Sequence, residues 1–205
     1  MPDDGRVASL GFTIKSGWAA VVVLTGSIAE PAVASNERID LSDPGEPEQR
    51  QPYHAGFGTA REDNATLARI VASVRRYGRR SVGATLASAR HAGHVITRAG
   101  IVVGSTVDPA TIANDHIRIH ALEGKLFREV VADAASASGI ACTIWRERDL
   151  YAAAAIALDR SEAEIKAAVA AMKRSTSGAW RGEQKVAATA AWMLLGDGRS
   201  RSRRA

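Results

Sequence analysis

The sequence predicts an α/β fold, on three observations. An apolar hairpin opens the chain, with residues 7–14 and 18–24 flanking the turn residues Lys15, Ser16 and Gly17. Further on, apolar residues recur at spacings of three and four, the period of helices packed on one face. Short apolar strands at residues 100–104 and 141–145 alternate with those helices, the pattern of a sheet covered by helical layers.

Length and charge set the bounds. A chain of 205 residues is long enough for one domain with a full core. Residues 1–198 are expected to form it, and residues 199–205 a basic disordered tail. Formal charge is +5, but Arg199, Arg201, Arg203 and Arg204 supply most of it, leaving a body near +1. The tail can touch phosphates; the body does not advertise itself as a polyanion binder. Cys142 is the only cysteine, which excludes an internal disulfide and suits a reducing compartment. Its apolar strand setting reads as inert core, since reactive thiolates need electropositive, partly exposed surroundings. The longest early apolar run, residues 18–24, holds seven residues, far short of a membrane span. A cytoplasmic protein with no membrane partner is expected.

The elements follow in order. After the hairpin comes a break at residues 25–31 and a third strand at 33–41. Residues 42–58 contain three of the six prolines and three glycines, a loop long enough to be functional or mobile. Within it, Tyr53 and His54 are placed to form a lid or to pin the loop to the body. Helical periodicity starts at Arg61 through Leu67, Ile70, Val71 and Val74, and Gly78 is expected to end or kink that helix. Arg75, Arg76, Arg79 and Arg80 would complement the dipole at its carboxyl end. A second helix is expected over residues 82–97, with His91 and His94 three apart. Asp108 before Pro109 is a capping pair. The main helix is read over residues 114–137 with Gly139 stopping it, and a further helix over 152–158. Ser161 to Glu164 spells a capping box for a helix through Met172. Residues 175–178 link to the last helix, 183–195.

Two segments resemble a known family. Leu10-Gly11-Phe12-Thr13, followed by Lys15-Ser16-Gly17-Trp18-Ala19-Ala20-Val21-Val22, is similar to the opening hairpin of ribonuclease-H-like proteins of the RuvC-type resolvase branch. Lys185-Val186-Ala187-Ala188-Thr189-Ala190-Ala191-Trp192 is similar to their alanine-rich closing helix. The resemblance implies a ribonuclease-H-like mixed sheet, with an antiparallel hairpin and third strand, then parallel strands, flanked by helices. It also implies two divalent metals held by carboxylates on the first strand, at the end of the fourth and on the closing helix. Here those positions carry Thr13, Gly104-Ser105, and Thr189 among alanines, with only Glu183 acidic at the helix start. Neutral groups cannot replace the ligand charge that two-metal hydrolysis needs. The resulting expectation is a catalytically degenerate domain that binds nucleic acid or a protein partner.

One other constellation can carry chemistry. His116 and His120, at i and i+4, share a helix face, and Glu123 continues it. At about 100° per residue this line lies about a quarter turn from the apolar stripe Ile119, Leu122, Leu126 and Val130. His116 and His120 are candidate ligands for a divalent metal ion, with Glu123 as third ligand or base. The residue after His116 is Ile117, so no HExxH pattern is present. The alternative function is therefore a small hydrolase or metal-dependent enzyme using Ser105, His116, His120 and Glu123, with Asp108 or Asp115 as orienter. Thr13, Lys15, Ser16 and Asp108 are candidate ligand-binding residues at the same cleft.

Overall fold

The structure is a computed structural model that describes residues 6–56 and 59–195. The first strands are β1 (Arg6–Lys15), β2 (Trp18–Gly26) and β3 (Pro31–Asp40). Two short strands, β4 (His54–Gly56) and β5 (Thr59–Ala60), pair with each other, and β6 (His94–Val103) and β7 (Ala141–Arg146) return to the main sheet. Its order is β3-β2-β1-β6-β7. β1 and β3 flank β2 antiparallel, whereas β6 runs parallel to β1 and β7 parallel to β6. This is the expected mixed sheet. The hairpin closes at Lys15 opposite Trp18, and Gly17 supplies the positive φ of +80° at its tip.

Period-2 alternation sorts the strand residues between two layers. Val21 and Val23 join Leu10, Phe12 and Ile14 under α1 (Asn64–His91) and α2 (Asp115–Ala137). Val22 and Leu24 point the other way, toward α3 (Leu150–Leu158), α4 (Glu162–Ala171) and α5 (Gly182–Trp192). Burial on both faces is why β2 reads as an unbroken apolar run. The alanines of α5 let it lie very close to the sheet. A Cβ at Gly11 would stand 1.8 Å from the Ala187 carbonyl oxygen, and one at Gly100 would stand 2.9 Å from Ala190 Cβ.

Two local expectations are corrected. Gly78 does not end a helix: α1 runs unbroken through it to His91. The glycine is there for packing, since a Cβ would meet Val130 Cγ1 of α2 at 2.2 Å. The four arginines thus sit mid-helix, where Arg75 reaches Glu129 of α2 at 2.8 Å and Asp133 at 3.4 Å. Residues 94–97 are strand rather than helix. Gly93 turns the chain with φ +80°, and β6 pairs from His94 onward with β1 from Arg6; that ladder overrides the local helical pattern. His91 and His94 therefore fall on different elements. The arginines of residues 199–205 lie outside the described residues. No helix among the described residues is long and apolar enough to cross a membrane.

Candidate functional site

Two neighbouring clefts open where β1 and β6 end and α2 passes over them. The first, of about 580 Å³, is lined by Lys15 and Ser16 from the hairpin, Gly104 and Ser105 beyond β6, and His120 and Phe127 of α2, among others. It lies at the carboxyl ends of parallel strands, where open α/β sheets place ligands. Among the described residues its lining holds no carboxylate, although Glu147 pairs with the lining Lys15.

Thr13 does not line this cleft: it lies between Ala20 of β2 and Val102 of β6, with its side chain on the α5 side of the sheet. It is buried, and its hydroxyl donates to the Glu183 carbonyl oxygen in the first turn of α5 at 2.8 Å. Thr13, the end of β6 and the start of α5 thus converge, with the donor already engaged. Thr189 is fully buried farther along α5 and donates to the Lys185 carbonyl at 2.9 Å, a bond internal to its helix. Lys15 pairs with Glu147 at 3.1 Å, both partly exposed, so the pair contributes little to stability. Ser105 accepts from the Val107 amide at 3.2 Å, and Asp108 caps the short 3-10 turn Pro109–Thr111 by accepting from Ala110. Asp115 pairs with Arg118 at 2.6 Å. Ser105 and His120 share the cleft, but no hydrogen bond joins them.

The second cleft, of about 710 Å³, lies on the other side of His120, with His54, Arg61 and His116 around it. Asn114 caps α2 by accepting from the Ile117 amide at 3.0 Å, which fixes His116 in the first turn and His120 one turn on. Their ring centroids are 4.6 Å apart. His54 comes in from β4 with its ring 4.9 Å from His120 and 6.3 Å from His116. One ring nitrogen from each of the three lies within 4.8 Å of the others. Arg61 holds the incoming loop by donating to the carbonyls of Pro52 and His54 at 3.0 and 2.9 Å.

Glu123 lies beneath the three rings, 1% exposed. Its Oε1 is 2.7 Å from His54 Nδ1. Oε2 is buried without a hydrogen-bond partner, and His120 Nδ1 lies 3.6 Å from it. Burial pushes the Glu123 carboxyl above the ordinary range, against the opposing pull of His54 and then His120. Burial likewise raises the neighbouring Tyr53 phenol, with Arg75 opposing it.

The structure thus brings His116, His120 and Glu123 together as their helical spacing implies, and adds His54. Sequence reasoning saw His54 only as a lid or pin. The available signal was a histidine in a long proline-rich loop, and nothing local sets how far that loop folds over α2.

No family model matches the chain, and no curated protein matches it. Among solved structures, the chain is similar to Thermus thermophilus RuvC in complex with Holliday junction substrate, at 13% identity, with 92% of each chain covered and a TM-score of 0.50. A Thermus thermophilus RuvC structure matches at 14% identity over 91% of this chain and 92% of that one, with a TM-score of 0.48. An Aquifex aeolicus member of the Ppx/GppA family matches at 13% identity over 75% of this chain and 40% of the other, with a TM-score of 0.38. The mixed sheet and its two helical layers are an α/β architecture of the ribonuclease-H-like class. The likeness over nearly the whole of both chains in the junction complex assigns the fold within that class to the RuvC type.

Proposed function

We propose that this chain is a nucleic-acid-binding domain built on the RuvC-type fold that does not cleave by two-metal hydrolysis. One observation carries the reading: the first-strand position, which faces α5, is a buried threonine and not an acid. The hydroxyl of Thr13 donates to the Glu183 carbonyl in the first turn of α5 and so is already engaged. Two divalent ions poised for in-line attack on phosphate need converging anionic ligands. Glu183 stands at the start of α5, but neutral groups occupy the β1 and β6 positions.

Binding is supported by two things. The similar RuvC was solved with a Holliday junction substrate, and the cleft is lined by the hydroxyl of Ser16 and by Lys15, whose partly exposed pairing with Glu147 is weak enough for a phosphate oxygen to replace.

The test is incubation with magnesium or manganese on branched DNA and on an RNA–DNA hybrid, with fluorescence anisotropy across a salt series in parallel. The expected result is no cleavage and binding that weakens as salt rises. Metal-dependent cleavage, or no binding at low salt, overturns the reading. Truncation after Gly198 separates a contribution of the arginine-rich tail from that of the body.

A further inference from the structure

We propose that His54, His116 and His120 form a binding site for one divalent transition-metal ion of the zinc class, with Glu123 orienting the ligands from beneath. This site adjoins the first cleft and shares only His120 with it, and neither proposal depends on the other.

The donors come first. Three imidazoles, each offering a nitrogen within 4.8 Å of the other two, are closer than unrelated surface histidines need be. Tetrahedral zinc with bonds of about 2.0–2.1 Å sets its nitrogens about 3.3 Å apart. Closing the remaining gap takes small rotations about side-chain bonds. His116 and His120 are exposed and free to make them, whereas His54 is largely buried, with 9% of its side chain exposed.

Glu123 is the independent second observation. A carboxylate 1% exposed is costly to bury, yet this one lies directly behind the cluster. His54 Nδ1–H donating to Oε1 at 2.7 Å fixes that ring's tautomer and leaves its Nε2 lone pair for an ion. His120 Nδ1, 3.6 Å from the unpartnered Oε2, needs only a small turn to make the second such bond. Metal-ligating histidines characteristically donate their other nitrogen to a carboxylate in this way.

Ligand chemistry selects the ion. An all-imidazole donor set suits zinc, cobalt, nickel or copper rather than magnesium or calcium, which prefer oxygen. Three protein ligands leave a fourth position open toward the 710 Å³ cleft, where water or an anion completes the shell. This distinguishes the site from a closed structural zinc centre.

The experiment uses the full chain, stripped with chelator. Zinc is titrated by calorimetry, and cobalt is titrated by its visible d–d absorption, whose strong bands mark tetrahedral nitrogen coordination. One equivalent is expected with micromolar or tighter affinity. His116→Ala and His120→Ala, both at exposed positions, should each weaken binding at least about tenfold, and Glu123→Gln by about 10- to 100-fold. His94→Ala, away from the cluster, should change nothing. Circular dichroism confirms that each variant is folded, and the two exposed histidine variants decide the matter should Glu123→Gln misfold. The proposal is overturned by the absence of a tetrahedral cobalt spectrum, or by binding whose affinity is unchanged in His116→Ala and His120→Ala. In either case the histidines are a hydrogen-bonded cluster around Glu123 and nothing more.

Discussion

The two clefts that meet at His120 differ in how their polar groups are committed. At the first, Ser105 serves its own turn and Lys15 is paired with Glu147, and in the sheet behind it the hydroxyl of Thr13 is bonded to α5. Around the second, Glu123 keeps a buried, unpartnered oxygen and two imidazoles stand exposed with nitrogens facing one another. Satisfied groups hold a structure together, whereas unsatisfied ones at a cleft have capacity for a ligand. The contrast teaches that the polar groups near the ends of β1 and β6 are spent on holding the structure, whereas those around His116 and His120 are open to a ligand.

The sharpest way to break that comparison is at Gly11. Gly11→Val drives a side chain into the Ala187 backbone and should cost about 3 kcal/mol or more, shifting the urea midpoint strongly. Gly104→Ala, with open space around it, should stay within about 0.5 kcal/mol. Equal effects would show that α5 yields easily and that the junction beneath the first cleft is not fixed.

Thr13→Asp comes next. It sets a carboxylate against the Glu183 carbonyl oxygen and should lose about 3 kcal/mol without producing manganese-dependent cleavage. Thr13→Val, which only removes the donor, should lose about 1 kcal/mol. Cleavage by Thr13→Asp would instead reveal a metal site lacking a single acid.

For the second cleft, Asn114→Ala removes the α2 cap and should cost about 1 kcal/mol, about 2–4 °C in Tm. Fraying of the turn that carries His116 would appear as faster amide exchange there; unchanged exchange would show that packing alone holds it.

The smallest effect concerns Cys142. Burial pushes its thiol above 9.0, with a weaker opposing contribution from Ser136. The folded state therefore favours the neutral thiol. That stabilisation is complete below pH 9 and is lost as pH rises through the folded-state value. Alkylation by iodoacetamide at pH 8 should be slower in the folded than in the unfolded chain, and comparable rates would contradict the partly buried setting.

Legibility in the sequence followed the range of the interaction that fixes each feature. The Lys15–Trp18 turn, the Asp108 cap and the Ser161 capping box are set by residues within four positions of one another, and all three form as their residues dictate. Gly78 was misread because its reason is Val130, on another helix. Residues 94–97 were misread because β1, far back in the chain, supplies their ladder. The candidate site divides the same way. His116, His120 and Glu123 are legible at helical spacing, whereas His54 joins them only because Arg61 ties down a loop whose path no local pattern encodes.

His120 belongs to the walls of both clefts, and a party wall cannot be moved for one tenant alone. An occupant that turned this imidazole toward His54 would widen the neighbouring chamber. By thermodynamic reciprocity, whatever filled that chamber would then alter the grip on the first occupant by the same factor.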